Sequence, residues 1–600
     1  MNQADVPISE TDEDRLPQSF FVRLASLLFF YASAMLFFRN AWLLRNLAID
    51  DSYITYRFAW RLAKQATLRW NMLEAPVEGY TSFLSVLLSA PFIWLGIDPI
   101  EAWKYMGIGF IFGGAALTVW GGRQFCRLYF PKGLRLGLPL FVGALWLMNP
   151  LNGIHAMSGM ETALHAFLLT ACAALAIYIF RRQKETEETA LLPMRLYIAP
   201  GIGFLLLGMT RPESLLWSAL IIAGLLIGLR PSERMRFLRA LLLSLILPGA
   251  IYFIARWIYF GNMLPSTFHA KAASAGSSEL GRLHSILPSL HDILKYIRRY
   301  WALFLSLYAA VGLILLWRRG RQNISASLRA ALPWFFFLAA SFACIGFFAH
   351  IHMLMGYAWR FLYPYGQTLW LLLVLPSGVL LLRLVWDRRS HARFFAAAAV
   401  FLVLCTLSMA SIWRDSFGTK GGNLLYYNAR QSNGFYSILR HNTISGKGYR
   451  KVGREIDKMA LAEGPPLTLF HHNMGELMFF APHWDSIDPV GLVDAQVAHH
   501  GFSVDHVFNR DPDLLILPSK SKSEITRYNA ELFPDISKSV YQDSRMADYR
   551  YLGYYPHIDF GASGKMHFFL RRRLAEKYPE IVENWKENLE LKIAEDSQIR

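Results

Sequence analysis

The sequence predicts a polytopic α-helical membrane protein that carries a C-terminal α/β domain. Of its 600 residues, 54% are hydrophobic and only 18% are charged, whereas about a quarter of the residues in a soluble globular chain are charged. The apolar residues form runs of roughly 17 to 24 separated by short basic segments, and a run of this length spans a bilayer as a helix. These long runs end near residue 412, where a mixed pattern begins.

The net charge of +17 comes mainly from Lys and Arg in the short segments between apolar runs, such as Arg181, Arg182 and Lys184. Clusters of this kind follow the positive-inside pattern, which sets membrane orientation. We therefore predict a membrane partner and no nucleic acid. The four cysteines form no CxxC pair, so neither a zinc site nor a disulfide framework is indicated.

Placing the basic segments in the cytoplasm gives a domain plan. Residues 1–19 form a disordered cytoplasmic tail, and residues 20–412 form a membrane module of about 11 to 13 helices. The first outer loop covers residues 45–80, and residues 413–600 lie outside the cytoplasm. The predicted sides of the flanking loops require an odd number of membrane crossings between residues 81 and 135. This stretch holds two apolar runs, at 82–97 and 105–120, and both are short, so the number of crossings stays open.

The last 190 or so residues combine two kinds of pattern. Short apolar stretches at 466–470, 486–490 and 514–517 resemble buried strands, and amphipathic patterns at 449–462 and 573–594 resemble helices. Because strands alternate with helices, a small α/β domain is expected.

Two adjacent carboxylates, Asp50 and Asp51, follow the first apolar run. Charge at a membrane surface is costly and needs a reason. One interpretation is that the pair caps the next helix, where anions favour the N-terminus. The other is that one of the two is a general base that takes a proton from an acceptor hydroxyl, with or without the help of a metal.

Two further acids precede later apolar runs. Glu78 suits a capping position, or it binds sugar hydroxyls or an ion beside Tyr80, which then acts as a stacking platform. Ser158 and Glu161 have the spacing of a capping box, and a capping Glu161 can still line a cavity.

Cationic side chains occupy other segments on the same predicted side of the membrane. Arg211 and Glu213 share a very short loop, as an interfacial ion pair or with Arg211 holding a phosphate. His269 and Lys271 lie in a longer loop, and Arg360 borders another span, where it either snorkels or binds the same anion. Acidic side chains in some outer loops and cationic side chains in others, all on one side of the membrane, would form a suitable binding site for an anionic lipid and a polyol.

These segments resemble the polyprenyl-phosphate-dependent GT-C glycosyltransferases, in particular the bacterial terminal arabinofuranosyltransferase family. The likeness covers the whole chain in order and is carried by the following segments: Asp50 to Arg57, Val77 to Ser82, Ser158 to Thr162, Thr210 to Glu213, the stretch from Gly261 through Pro265 to Lys271, and Asp488 to Asp494.

The resemblance implies a GT-C membrane module in the bacterial inner membrane, with an extracytoplasmic C-terminal domain. It implies a polyprenyl-phosphate sugar donor, arabinofuranose being favoured, and a glycan or protein acceptor. The resemblance assigns no definite cofactor, and help from a divalent cation stays open. Asp50 and Asp51 are the expected catalytic residues, with Asp50 leading. The expected substrate-binding residues are Tyr56, Arg57, Glu78, Tyr80, Glu161, Arg211, Glu213, His269, Lys271 and Arg360.

Three alternatives remain at this point. The protein could transfer another sugar, such as a hexose or aminoarabinose, since sugar choice depends on cavity shape. It could transport lipid-linked sugars, although transporters often show paired inverted halves. It could also be a non-catalytic scaffold, which would leave the outer charges unexplained. A metal site at Asp488, Asp494, His499 and His500 is a further alternative for the C-terminal part.

Overall fold

A computed structural model describes residues 18–129, 137–267, 279–318, 324–350, 357–385, 391–417, 445–464, 466–519, 536–559 and 562–592. The chain folds into a helical part, residues 18–417, and a tail domain, residues 445–592, that contains a five-stranded sheet. The predicted fold class, a polytopic helical protein with a C-terminal α/β domain, is confirmed. The proposed disordered tail lies almost wholly outside the described residues.

The helices of the helical part alternate with short turns, in keeping with the runs of apolar sequence. Their bounds are α1 Gln18–Leu43, α2 Asp50–Gln65, α3 Phe83–Trp94, α4 Pro99–Tyr129, α5 Gly137–Met148, α6 Leu151–Met157, α7 Thr162–Glu185, α8 Arg195–Thr210, α9 Ser214–Gly228, α10 Pro231–Leu241, α11 Leu247–Phe260, α12 Glu279–Tyr300, α13 Ala302–Arg318, α14 Ile324–Phe347, α15 Tyr363–Leu369, α16 Leu375–Val385 and α17 His391–Phe417.

Six described helices are long and apolar enough to cross a membrane, or up to eight if each of two bent pairs is one span. Four further apolar helices are shorter, among them α3, which corresponds to the short run predicted at 82–97. The predicted count of about 11 to 13 spans therefore requires the short helices to cross as well. The run at 105–120 belongs to the longer α4.

One bent pair, α5 and α6, is held at its break by an amide. The two helices meet at 63°, which frees backbone carbonyls that need partners in an apolar interior. The amide nitrogen of Asn152 donates to the carbonyls of Trp146 and Leu147, at 2.7 and 3.2 Å. The amide oxygen of Asn152 accepts from Gln367, at 2.6 Å, and from Tyr363. The break in the span is thus fixed against α15.

The tail domain has the strand order β2-β1-β3-β5-β4. β1 is parallel to β2 and β3, and the pairs β3–β5 and β5–β4 are antiparallel. Its elements are α18 Ser445–Glu463, β1 Leu467–Phe470, α19 Glu476–Phe480, β2 Trp484–Ile487, α20 Ala495–His500, α21 Val504–Asn509, β3 Leu514–Ser519, α22 Ile536–Tyr541, β4 Tyr549–Asp559, β5 Ala562–Arg571, α23 Arg572–Lys577 and α24 Pro579–Asn588.

The three predicted strands of the tail are present, although β2, Trp484–Ile487, overlaps the stretch predicted at 486–490 only in residues 486 and 487. The helix predicted at 449–462 is confirmed as part of α18. The single helix predicted at 573–594 is wrong, because Tyr578 separates α23 from α24, which begins at Pro579. The β4–β5 hairpin was not predicted.

The first loop, residues 44–82, binds the tail domain instead of extending into solvent. Its residues 70–73 cover the edge strand β2. Asn71 exchanges hydrogen bonds with the backbone of Ser486, at 2.7 and 2.8 Å, and the Asp485 carboxylate accepts from the backbone N–H groups of Met72 and Leu73. An exposed sheet edge would otherwise be open to pairing with another chain.

Arg57 is the central polar contact between α2 and the tail domain. It is fully buried, and its guanidinium donates to the carbonyls of Ala481, Trp484 and Trp70 at 3.2, 2.5 and 3.4 Å, and also to that of Met478. Burial lowers the pKa of Arg57, and neighbouring Arg61 adds to that effect. The side chain therefore joins the loop to the domain.

We expect Arg57→Met to weaken the attachment of the tail domain by about 3 kcal/mol, because several buried carbonyls lose a charged donor. The measurement is the thermal midpoint of the detergent-solubilised protein together with the rate of proteolysis within the tail domain. Lys64→Met, on the exposed face of α2, is the matched control and should change neither. Equal behaviour of the two variants would contradict the role of Arg57.

Candidate functional site

Four segments meet at one end of the helical part, as the common side of the charged loops predicted. They are the first turn of α2, residues 158–161 between α6 and α7, residues 211–213 between α8 and α9, and residues 358–361 before α15. Two hydrogen bonds join α2 and the residue before it to the 158–161 segment: Ile49 N–H to the Ser158 carbonyl at 3.2 Å and Tyr56 hydroxyl to the Gly159 carbonyl at 2.7 Å. A third, between His155 Nε2 and the Ala358 carbonyl at 3.0 Å, joins α6 to the 358–361 segment.

Asp51 forms an ion pair with Arg360, the Oδ2 to Nη1 distance being 3.1 Å. The side chain of Asp51 is 24% exposed and that of Arg360 8% exposed, so the carboxylate is the accessible member of the pair. The two residues before Arg360, Ala358 and Trp359, have φ of 50° and 56°. Left-handed backbone is unfavourable for residues with a Cβ and is typical of functional sites. Arg360 is thus held by a strained turn.

Arg211 lies between two carboxylates. Its Nη1 is 3.0 Å from Glu161 Oε1, its Nε is 2.6 Å from Glu213 Oε1, and all three side chains are buried. The guanidinium of Arg211 is 5.1 Å from the centre of the Phe361 ring, and that of Arg360 is 4.9 Å from the same ring. Phe361 therefore connects the Arg211 cluster to the Asp51–Arg360 pair.

The site holds more negatively charged than positively charged side chains. Four carboxylates, those of Asp50, Asp51, Glu161 and Glu213, face two guanidiniums, which gives a formal charge of −2 when all are ionised. Within the described ranges, no three His, Cys, Asp or Glu side chains converge closely enough to hold a metal ion. Asp488, Asp494, His499 and His500 are among the described residues and form no such group, so the metal site considered for them has no support in the structure.

Asp50 has a different environment from Asp51. Its Oδ1 accepts a hydrogen bond of 2.8 Å from the backbone N–H of Glu476 in the tail domain. A Cβ added at Gly475 would lie 2.0 Å from Asp50 Oδ2, so only glycine permits this approach. Both acids stand in the first turn of α2, as the capping interpretation expected, but the N-cap residue is Ile49 and it makes no side-chain cap.

The capping box predicted for Ser158 and Glu161 is wrong. The Ser158 hydroxyl accepts from the N–H of Met160 at 3.2 Å, and α7 starts at Thr162 with no side-chain cap from Glu161. The carboxylate of Glu161 binds Arg211 instead, since a buried guanidinium offers a charged partner.

Glu78 and Tyr80 form a second cluster, next to the tail domain. Glu78 Oε2 accepts from Arg256 Nε at 2.7 Å. Burial raises the pKa of Glu78, against the opposing effect of Arg256. Tyr80 packs on Phe58, which lies eight residues, or roughly 12 Å along α2, from Asp50. Arg256 was missed, although a lone arginine inside an apolar helix signals a buried partner.

The remaining predicted residues separate into three groups. Tyr56 links α2 to Gly159 within the site. Arg57 faces the tail domain, as described above. His269 and Lys271 lie outside the described residues. Phe361 and the Glu476 backbone were not predicted from the sequence, because neither a ring between two cations nor a backbone donor carries a motif.

Glu476 is buried beside Asp50, and its side chain has few compensating contacts. Burial raises the pKa of its carboxyl to about 7, Asp98 adds to this, and Arg450 opposes it. The Arg450 Nε to Glu476 Oε1 distance is 3.4 Å. An ionised Glu476 is therefore unfavourable in the folded protein.

We expect Glu476→Gln to stabilise the protein more at pH 8 than at pH 5. The folded state keeps the proton up to about pH 7, whereas the unfolded chain releases it near 4.5. The contribution of Glu476 to stability is thus present below pH 4.5 and decreases as the pH rises to 7. The thermal midpoint of the variant relative to the unmodified protein should rise by about 2 °C between the two pH values.

Glu463→Gln is the control for this pH dependence. Hydrogen bonds from Lys577 and Tyr578 lower the pKa of the half-buried Glu463, so its carboxylate is ionised at both pH 5 and pH 8. Its effect on the thermal midpoint should be the same at the two values. A constant effect of Glu476→Gln would contradict the burial argument.

Comparisons with known proteins give only remote similarities. No model of a known protein family matches the sequence, and no curated protein matches it significantly. The fold is similar to that of the archaeal oligosaccharyltransferase AglB from Archaeoglobus fulgidus in complex with an inhibitory peptide and a dolichol-phosphate, with a TM-score of 0.44, 11% identity, and coverage of 82% of this chain and 69% of that chain.

The Archaeoglobus fulgidus oligosaccharyltransferase tethered to an acceptor peptide containing the NVT sequon gives a TM-score of 0.42 and 10% identity, covering 89% of this chain and 74% of that chain.

Proposed function

We propose that the protein is a membrane glycosyltransferase of the GT-C type that moves a sugar from a polyprenyl-phosphate donor to a hydroxyl of an extracytoplasmic glycan or protein acceptor. The observation that carries the proposal is the partly exposed Asp51 carboxylate, paired with Arg360 and connected through Phe361 to the buried Arg211 cluster. The resemblance of the sequence segments supports the donor type and favours arabinofuranose as the sugar.

Asp51 is the proposed general base. Its carboxylate takes the proton of the acceptor hydroxyl, whose oxygen forms a bond to the anomeric carbon of the donor. The bond from that carbon to the phosphate oxygen breaks, and its electron pair leaves with the polyprenyl phosphate. Asp50 is the less suitable base, because one of its oxygens accepts the Glu476 N–H and the other lies against Gly475.

Arg360 is the proposed stabiliser of the departing phosphate, because a planar guanidinium offers donors to two oxygens. Arg211, held by Glu161 and Glu213, supports Arg360 across the Phe361 ring. The excess of carboxylates means that a phosphate needs further positive charge. Lys271 keeps its proposed role as a phosphate ligand for this reason, and His269 stays a proposed substrate-binding residue.

Glu78 and Tyr80 stay proposed contacts for sugar hydroxyls, at the edge of the site toward the tail domain. Tyr56 contributes by holding the 158–161 segment against α2. We assign Arg57 to packing and not to substrate. We place the site on the outer face of the bacterial inner membrane, where a polyprenyl chain remains in the bilayer while its sugar enters the site.

The proposal is tested with purified protein in lipid nanodiscs and a panel of polyprenyl-phosphate sugars: arabinofuranose, a hexose and aminoarabinose. Release of polyprenyl phosphate from one donor is the expected result, with arabinofuranose favoured. If no donor is consumed while the labelled lipid crosses the bilayer of proteoliposomes, the protein is a transporter and the proposal fails.

A further inference from the structure

Arg450, on α18 of the tail domain, contacts three separate parts of the chain. Its Nη2 donates to the Tyr53 hydroxyl at 3.1 Å. Its Nε is 3.4 Å from Glu476 Oε1, and its Nη1 is 3.6 Å from Asp98 Oδ2. One guanidinium therefore joins α2, the segment between α3 and α4, and the tail domain.

Two of these contacts lead directly to the acidic pair. Tyr53 is three residues after Asp50, so the two stand one turn apart on α2. Glu476 supplies the N–H that the Asp50 carboxylate accepts, at 2.8 Å. The first turn of α2 is thus held from the tail domain at two points, and Arg450 bonds to a residue at each of them.

A neighbouring arginine provides a contrast. Arg450 and Arg454 are one turn apart on α18, and both guanidiniums lie over the Phe480 ring, at 4.7 and 5.0 Å. Arg450 alone of the two lies within ion-pair or hydrogen-bond distance of Tyr53, Glu476 and Asp98 in the described part of the chain. Arg454 is exposed. A comparison of variants at Arg450 and Arg454 therefore distinguishes the effect of stacking on Phe480 from the effect of contact with the first loop.

We propose that Arg450 is a positioning residue for Asp50 and Asp51, and that the tail domain completes the catalytic site through it. This inference rests on the proposed function and deepens it, since it makes the tail domain part of the catalytic unit. A general base must stand within hydrogen-bond reach of the proton it takes, and a displacement of about 1 Å can cost a hundredfold in rate. Fixing the first turn of α2 serves that requirement.

The test compares Arg450→Met, Arg450→Lys and Arg454→Met in the full-length protein, with release of polyprenyl phosphate from the donor that the unmodified protein consumes. We expect Arg450→Met to lower kcat roughly tenfold or more, with the KM for donor changed less than about twofold. Arg450→Lys keeps the charge and should be intermediate.

Arg454→Met should match the unmodified protein in kcat and in the KM for donor. If Arg450→Met behaves like Arg454→Met, the inference is overturned. It is also overturned if Arg450→Met lowers the thermal midpoint and the amount of folded protein but leaves kcat per folded protein unchanged, since that is loss of folded protein alone. Absence of donor consumption by the unmodified protein is a different result, and it rejects the proposed function itself.

Discussion

Asp51→Asn should reduce sugar transfer by roughly 10²- to 10⁴-fold, the range that general acid–base catalysis contributes. The amide keeps the size of the side chain and can still accept a hydrogen bond from Arg360, so the fold should persist. It cannot take the proton of the acceptor hydroxyl. The measurement is kcat for release of polyprenyl phosphate in the presence of acceptor, with the thermal midpoint as a check on folding.

Two further variants show whether the loss of activity is specific to Asp51. Asp50→Asn should lose less activity, because the amide oxygen still accepts the Glu476 N–H. Glu185→Gln removes a carboxylate that binds Arg181 at the opposite end of α7, and it should leave transfer unchanged. If Asp51→Asn retains near-normal kcat while Asp50→Asn does not, the base is Asp50, and our assignment within the pair is wrong.

Arg211→Gln has the second large expected effect, on stability and activity together. Glu161 and Glu213 are both buried against Arg211, and the substitution leaves them without their cation. Removing one member of a buried ion cluster costs about 3 to 5 kcal/mol. We expect a lower thermal midpoint and loss of transfer, because Arg360 also loses its partner across Phe361.

Arg181→Gln is the matched control for Arg211→Gln. Arg181 is also a buried arginine with polar partners, Gln124 and Glu185, at 2.6 and 2.7 Å. It lies about 28 Å from the start of α7, where Glu161 stands. Arg181→Gln should lower the thermal midpoint and retain transfer. Retention of full activity by Arg211→Gln would show that the Arg211 cluster is only structural.

The triple replacement of Arg211, Glu161 and Glu213 by Gln separates the two effects. With no charge left uncompensated, stability should return toward that of the unmodified protein. Transfer should stay low, since the cation that supports Arg360 is still absent.

The helical part could be predicted because each helix depends on local sequence. An apolar run long enough to span a bilayer predicts a helix whatever other segments it packs against. The same holds for β1 and β3, which are short buried runs. The β4–β5 hairpin was missed because β4 carries Tyr, Arg and Pro residues on a partly exposed surface, so it shows no apolar run. The break at Tyr578–Pro579 depends on a single residue pair inside a helical pattern.

For the site, the sequence predicted the members better than their partners. The charge bias of the loops was enough to predict that Asp51, Glu161, Arg211, Glu213 and Arg360 share one side of the membrane, and the structure brings these five residues together. Which acid binds which arginine depends on how α2, α7 and α15 pack, and no spacing in the sequence encodes that. The interpretation of Ser158 and Glu161 failed for this reason, since a distant arginine displaced a local capping pattern.

The division of roles between Asp50 and Asp51 also needed the tertiary structure. Adjacent residues on α2 point in different directions, one toward Glu476 of the tail domain and the other toward Arg360. The sequence resemblance favours Asp50 as the leading acid, whereas the contacts favour Asp51. The close approach of Gly475 to Asp50 places that acid at the contact between α2 and the tail domain.

The most direct measurement is release of polyprenyl phosphate from a polyprenyl-phosphate sugar by the purified protein in the presence of acceptor, with Asp51→Asn and Glu185→Gln assayed beside it at matched amounts of folded protein. We expect release by the unmodified protein and by Glu185→Gln, and roughly 10²-fold or slower release by Asp51→Asn. Equal release by all three would contradict the proposal that this cluster of outer charges performs glycosyl transfer.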